Sequence, residues 1–310
     1  MNNAMKKICI IGAAGFIGTN LSIELKKNKF NKITLVDRRL EYFVPEVIDI
    51  NVELKQALLN CDDDFSYLKN QDILYHLVST TIPAISNRHI VQELQENVIF
   101  SSKLLDAAAH YNVKKIIFIS SGGTVYGKDF RCPLSEETPL NPISSYGLQK
   151  VMIEKLLYLY HYIYGLDYRI IRLSNPYGPY QRPNGMLGVI TTFIYKALNN
   201  EKIEIYGDGS IIRDFIYISD AIKGIINIAD TEGSARIYNL GSGKGTSIKK
   251  LAEIIKCVIG NVEIIYKPGR DADIPVNFLD IKRFERDYGK LKLTNLKEGI
   301  KRTAEFLKRE

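Results

Sequence analysis

Tyr146 and Lys150 stand four positions apart in Ser144-Ser145-Tyr146-Gly147-Leu148-Gln149-Lys150. On a helix that spacing puts the phenol and the ammonium on one face, one turn from each other. An ammonium beside a phenol favours the phenolate and draws a tyrosine below its ordinary pKa of about 10. The pair is then a proton acceptor usable near neutral pH. Such pairs are also common on exposed helices, so the elements around this one decide its meaning.

A strand, a glycine turn and a helix open the chain. Lys7-Ile8-Cys9-Ile10-Ile11 is a nearly continuous apolar run, the pattern of a strand buried on both faces. Gly12-Ala13-Ala14-Gly15-Phe16-Ile17-Gly18 follows at once, and Phe16 to Lys26 reads as a helix with Ile17, Leu21 and Leu25 on one side. The first glycine permits a tight turn, the second lets the backbone approach a pyrophosphate, and the third lets helix pack closely on strand. A second strand, Lys32–Val36, ends in Asp37, placed to accept hydrogen bonds from the ribose hydroxyls of an adenosine. This is a dinucleotide site, with Gly12, Gly15, Phe16, Ile17, Gly18, Asp37 and Arg38 as expected contacts. Asp37 repels a 2′-phosphate and so favours NAD over NADP. Arg38 and Arg39 either offset that repulsion in part or are a solvated loop pair.

Further landmarks run in order along nearly the whole chain: Asp72–Leu77, Asn97, Ser120-Ser121-Gly122-Gly123-Thr124-Val125-Tyr126-Gly127, Asn175–Pro179, Gly207–Gly209, Arg213–Asp220, Asn239–Gly241 and Pro268–Asp273. With the two motifs above they resemble the extended short-chain dehydrogenase/reductase family, and within it the nucleotide-sugar epimerases and dehydratases, nearest the UDP-hexose 4-epimerases. The resemblance implies a Rossmann-type α/β fold, a doubly wound parallel sheet with a smaller C-terminal α/β domain. It implies NAD contacts at Leu77, Asn97, Ser120, Tyr146 and Lys150. It also implies substrate contacts at Thr80, Thr124, Asn175, Arg213 and Arg270, the arginines suiting diphosphate oxygens through their forked donors. Arg213-Asp214 and Arg270-Asp271 can alternatively be read as local ion pairs.

One position departs from the family. Its usual catalytic Ser or Thr, three residues before the Val of the Val-Tyr pair, falls on Gly122. Side chains alternate in an extended segment, so Thr124 points the same way and is the first expected stand-in, with Ser121 second. Family dehydratases place acidic residues directly after that hydroxyl. Here Gly123 and Thr124 occupy those places and neither serves as acid or base. A net reductase would more often use NADPH, which Asp37 disfavours. Epimerisation at C4 of a nucleotide-linked hexose, a UDP- or dTDP-sugar, needs only Tyr146, Lys150 and retained NAD. Reduction of a 4-keto-6-deoxyhexose and 4,6-dehydration stay as alternatives, and a non-catalytic NAD-binding sensor is the alternative of another class. In the family the helix carrying Tyr and Lys often forms a four-helix dimer interface. Met152, Ile153, Leu156, Leu157 and Leu159 occupy more than one face of it, so a homodimer is expected.

Strand patterns at Ile8–Ile11, Ile33–Val36, Val47–Ile50, Ile73–Leu77, Ile116–Ser120 and Tyr168–Arg172 alternate with helical ones at Val98–Ala109 and Tyr146–Gly165. That alternation predicts a parallel sheet with right-handed crossovers. After Asn175 come helices at Gly188–Asn199 and Ile248–Ile259, with strands at Phe215–Ile218 and Ile237–Leu240. The expected division is an NAD-binding domain over 1–174, to which segments around 213–240 return, and a nucleotide-sugar domain over 175–310.

At 310 residues, 45% hydrophobic and 25% charged, the chain has ample core for a globular fold. No apolar run reaches the 18 or so residues that cross a bilayer, and the N-terminus leads directly into a strand, so no membrane and a cytoplasmic setting are expected. The net charge of +7 is spread over helix faces such as Lys249-Lys250 and Lys301-Arg302, which argues against nucleic acid. Four scattered cysteines and four scattered histidines show no metal-ligand spacing.

Overall fold

The apolar run after Lys6 lies at the middle of a sheet, as its lack of polar alternation requires. The structure, a computed structural model, describes residues 5–81, 86–183, 188–260, 262–269 and 274–309. Its strands are β1 (Lys6–Ile11), β2 (Asn31–Asp37), β3 (Val52–Gln56), β4 (Ile73–His76), β5 (Lys115–Ser121), β6 (Asp167–Leu173) and β7 (Asn175–Tyr177). β8 (Ile203–Tyr206), β9 (Ile212–Tyr217), β10 (Ile237–Leu240), β11 (Gly245–Ser247), β12 (Ile264–Lys267) and β13 (Val276–Asn277) follow. The helices are α1 (Phe16–Leu25), α2 (Ile90–Leu94), α3 (Phe100–His110), α4 (Ser145–Tyr164), α5 (Val189–Leu198), α6 (Ile218–Asp230), α7 (Ile248–Ile259), α8 (Lys282–Tyr288) and α9 (Leu296–Leu307).

Seven strands form one parallel sheet in the order β10-β6-β5-β4-β1-β2-β3. β1 runs parallel to β2 through Ile8↔Ile33 and Ile11↔Val36, and to β4 through Ile8↔Ile73 and Ile11↔His76. The order reverses direction at β1 and β4, and a doubly wound sheet binds its ligand outside the carboxyl ends at such a switch point. This is the Rossmann-type arrangement.

The chain divides into two compact units, one of 1–120, 144–171 and 228–237, the other of 121–143, 172–227 and 238–310. In the first, Cys9, Ile11, Leu74, Leu104 and Phe118 from strands and α3 pack with Ile153 and Leu157 of α4 into one buried cluster. In the second, α5, α7 and α9 pack Ile194, Leu251, Ile255 and Ile300 against Ile203, Phe215 and Tyr217. There β9 pairs with β11, β13 and β7, while β8 and β12 form a separate parallel pair.

Several expected elements shift. The strand expected at Val47–Ile50 is not one: Pro45–Val47 forms a single 3₁₀ turn, and the strand comes later at β3. β3 lies at the sheet edge with a mostly half-exposed sequence, Val-Glu-Leu-Lys-Gln, so no apolar run announced it. The helix expected to start at Val98 begins at Ile90 and passes through a π turn at Gln95–Ile99 before α3. Its first turn is Ile-Val-Gln-Glu-Leu with Ile90 and Val91 exposed, so no buried apolar face marked that start. Residues Phe215–Ile218 are the end of β9 and the first residue of α6. Among the described residues no helix is long and apolar enough to cross a membrane, and no group of three or more His, Cys, Asp or Glu is placed to hold a metal ion.

Candidate active site

The glycine turn is shaped by contacts that exclude side chains. Gly12 has φ +75°, and a Cβ there would stand 3.1 Å from the Leu77 carbonyl carbon and the Val78 nitrogen. A Cβ on Gly18 would lie 2.6 Å from both the Gly12 and Ala13 carbonyl oxygens, so only glycine lets α1 approach β1 this closely. Gly15 is the N-cap of α1 without a side-chain cap, and the first turn of α1 carries no acidic residue. Half-buried Phe16 and Ile17 follow in that turn. An uncapped N-terminus without its own carboxylate suits an anion such as a pyrophosphate. Asp37 ends β2 with Oδ2 accepting the Ala14 N–H at 2.9 Å and Oδ1 accepting the Arg38 N–H at 2.8 Å. These bonds tie the carboxylate to the glycine turn. The Arg38 side chain is exposed, and Arg39 stacks on Tyr42 at 5.5 Å. The residues present fit a dinucleotide.

Lys150 and Tyr146 follow from the cap of α4, where the Ser144 Oγ accepts the Gly147 N–H at 3.2 Å. Lys150 Nζ lies 5.5 Å from the centre of the half-buried Tyr146 ring and 4.9 Å from that of Phe118, and it donates to the Ile119 carbonyl at 3.1 Å. Only 6% of Lys150 is exposed. That burial pulls its pKa down to about 8, against the opposing pull of the Glu154 carboxylate. The lysine therefore still carries its charge at pH 7, though with little to spare. Glu154 is one turn further along α4, buried, and accepts the Ser120 hydroxyl at 2.6 Å. The Ser120 hydroxyl, expected on the cofactor, is thus engaged within the protein. His76 is held neutral by burial and by Lys150, its pKa down to about 3, and its Nε2 shares a hydrogen bond with Ser101 Oγ at 2.8 Å.

Asn97 is buried and occupied. Its Nδ2 donates to Thr80 Oγ1 and Thr81 Oγ1, each at 3.0 Å, and its Oδ1 accepts the Thr80 N–H at 2.9 Å. It shapes the segment after β4, in which Leu77 N–H bonds to the Ile11 carbonyl.

In the second unit, residues 122–126 are a turn, and the Val125 N–H meets the Ser121 carbonyl at 3.4 Å. The segment is not extended, so alternation does not relate Thr124 to position 122. A different fact marks Thr124: its Oγ1 is buried and takes no hydrogen-bond partner among the described residues. A buried hydroxyl left open is uncommon and calls for an explanation. Ser121 closes β5, its Oγ 3.8 Å from where a Cβ on Gly123 would stand, with Asn175 Oδ1 4.0 Å from the same point. Asn175 Nδ2 donates to the Asp214 carbonyl at 2.9 Å. Arg213, half-buried on β9, donates from Nη1 to the carbonyls of Ile212 and Ile274 at 2.9 and 2.6 Å. Asp214 is fully buried, and its carboxylate accepts the N–H groups of Ser242, Gly243 and Leu279, at 2.8, 3.1 and 3.3 Å. Burial pushes its pKa up. Arg270 lies outside the described residues.

The sheet order, the glycine turn and the Tyr-x-x-x-Lys helix define a Rossmann-type dinucleotide-dependent enzyme. Comparison with known proteins narrows this. Residues 8–241 match the model of the NAD dependent epimerase/dehydratase family, and the chain belongs to that family. It is 35% identical to a putative UDP-glucose 4-epimerase of Methanocaldococcus jannaschii over 97% of this chain and 98% of that protein. It is 34% identical to a dTDP-4-dehydro-6-deoxyglucose reductase of Escherichia coli, over 94% and 95%. Among solved structures, a UDP-N-acetylglucosamine 4-epimerase of Methanobrevibacter ruminantium in complex with UDP-N-acetylmuramic acid superposes with a TM-score of 0.91 at 31% identity, covering 99% of both chains.

Glu93, Glu154 and Leu279 escaped the sequence reading, which took Asp214 only as a landmark or an ion partner of Arg213. Only Glu154 had a signal, its i+4 spacing from Lys150. The others are brought to the site residues by tertiary packing.

Proposed function

We propose that the chain interconverts the C4 epimers of a UDP-linked hexose through a 4-keto sugar, using NAD. The carrying observation is the buried Lys150 ammonium 5.5 Å from the Tyr146 ring on one helix face. In this reading the Tyr146 phenolate takes the C4 hydroxyl proton and gives it back when the hydroxyl re-forms, while Lys150 holds the phenolate and the nicotinamide ribose. When bound, NAD supplies the hydride acceptor at C4 and the donor to the opposite face. Gly12, Gly15 and Gly18 would hold its pyrophosphate and Asp37 its adenosine ribose. Proton-transfer help of this kind is worth roughly 10²–10⁴-fold.

Thr124 and Ser121 are the two hydroxyls offered to the sugar O4, the open Oγ1 favouring Thr124. Asn175, Arg213 and Arg270 are assigned to the nucleotide diphosphate and Thr80, in the unit that serves the cofactor, to the sugar border. Neither Gly123 nor Thr124 carries a carboxylate, which disfavours dehydration. The exposed aromatic face of α4 supports a homodimer. A cytoplasmic enzyme supplying sugars for polysaccharide synthesis completes the reading.

The test incubates purified protein and NAD with UDP-glucose, UDP-galactose and their N-acetylated analogues, with products identified by NMR. A pair of C4 epimers without net NADH, lost in Tyr146→Phe with NAD binding kept, is the expected result. The E. coli relative motivates the reductase reading. Stoichiometric consumption of NADH or NADPH with a dTDP-4-keto-6-deoxyhexose would establish that instead.

A further inference from the structure

Glu93 lies on the short helix α2, yet its carboxylate acts on α4. Its Oε2 accepts the Ser145 hydroxyl at 2.5 Å and the Gln149 side-chain N–H at 3.0 Å. Gln149 also donates to Ser145 Oγ at 2.9 Å, closing a triangle of three side chains. Ser145 immediately precedes Tyr146, and Gln149 immediately precedes Lys150. One carboxylate oxygen therefore grips the i and i+4 positions beside the proposed base and its cation.

The grip is anchored on both sides. The Ser145 N–H bonds to Asn87 Oδ1 at 2.6 Å. The Glu93 carbonyl accepts Asn97 Nδ2 at 2.9 Å, and Asn97 in turn holds Thr80. Ser145 and Gln149 are buried, so each needs its partner. Hydrogen bonds to an ionised carboxylate are roughly twice as strong as neutral ones, and negative charge near the first turn of α4 is favoured by the helix dipole. Rotation of α4 about its axis would break both bonds and carry the phenol sideways.

We propose that Glu93 is a positioning residue for the Tyr146–Lys150 pair: by gripping Ser145 and Gln149 it sets the rotation of α4, and through Asn97 it ties that setting to the segment carrying Thr80. The inference rests on the epimerase reading of the pair for its kinetic consequence, but not for its geometry.

The experiment compares wild type, Glu93→Gln and Glu93→Ala, each loaded with NAD. Glu93→Gln keeps one acceptor oxygen, whereas Glu93→Ala keeps none. In Glu93→Ala, kcat falls roughly tenfold, because small displacements of reacting groups are costly. KM stays within about threefold, a split that marks loss of transition-state alignment over loss of binding. Glu93→Gln recovers most of the rate. Independently of turnover, the Tyr146 ring carbon resonance, assigned through Tyr146→Phe in protein labelled with ¹³C-tyrosine, shifts in Glu93→Ala and returns toward wild type in Glu93→Gln. An unmoved resonance in folded Glu93→Ala overturns the proposal, as does an unchanged kcat or an equal loss in both variants. Should wild type turn over no nucleotide sugar, the functional reading fails, and the resonance alone still decides the role of Glu93.

Discussion

Leu279 fills the place where a side chain on Gly122 would begin, with its Cδ1 2.6 Å and its Cδ2 3.0 Å from that point. Leu279 is itself fixed, 1% exposed, with its N–H on the buried Asp214 carboxylate. Asn277 Nδ2 adds a bond to the Gly122 carbonyl at 3.3 Å. The absence of a hydroxyl at Gly122 is thus a packing solution, and in the proposed mechanism the hydroxyl comes from a neighbour. Gly122→Ser should destabilise the protein by about 1–3 kcal/mol through overpacking. The double variant Gly122→Ser/Leu279→Ala should be more stable than the sum of the two single losses, since the sites touch. Urea denaturation of the four proteins measures the coupling, and strict additivity would refute it.

The two hydroxyls near Gly122 are separable. Thr124→Val removes the open Oγ1 with little change of shape, so kcat should fall by roughly 10²-fold, the scale for losing one donor to a developing oxyanion. Ser121→Ala should cost less. A reversed ranking in steady-state kinetics would move the role to Ser121.

Lys150 sets a pH limit. With its pKa drawn down to about 8 by burial, it loses its ammonium as pH rises through that value, and in the proposed mechanism Tyr146 then loses its cationic partner. Activity should decline above about pH 8. Stability moves the other way. The unfolded lysine, near 10.5, binds more protons than the folded one between about 8 and 10.5, so this group adds stability as pH rises across that window. A pH series of kcat and of urea midpoints in wild type and Lys150→Met checks both signs, and both effects should vanish in the variant.

Gly18 and Asp37 test the cofactor side. Gly18→Ala puts a Cβ 2.6 Å from two backbone oxygens that cannot move without shifting the turn. NAD affinity should drop at least about tenfold, together with a loss of stability near 1–3 kcal/mol. Asp37→Asn should narrow the preference for NAD over NADP without removing NAD binding, because the bond from the Ala14 N–H survives on an amide oxygen. Calorimetric titration with both dinucleotides gives the ratio.

The outer face of α4 tests assembly. Tyr162 is 80% exposed, and Tyr158, Leu159, Ile163 and Tyr164 are exposed beside it. In the proposed homodimer this apolar face is the interface. Tyr162→Lys/Ile163→Lys should convert a dimer to monomer in sedimentation velocity with the fold intact, and a wild type that sediments as a monomer would dismiss the interface.

Local chemistry made much of this protein legible. The Ile8–Ile11 run, the glycines at 12, 15 and 18, and Asp37 at the end of β2 each require their conformations through bonds and sterics within a few residues. The sheet and the cofactor turn could therefore be read from the chain alone. So could the common face of Tyr146 and Lys150, since helical periodicity is a local property. What lay beyond reach depends on contacts between distant segments. β3 is a half-exposed edge strand, recognisable only once β2 is beside it. The turn at 122–126 takes its shape from Leu279 and Asn277, more than 150 positions away in the chain, so the expected alternation of side chains could not hold there. Glu93 meets Ser145 only because α2 and α4 pack together. Periodicity and glycine sterics are written residue by residue, whereas a buried carboxylate's partners and the space beside a glycine are decided by packing, which no local pattern encodes.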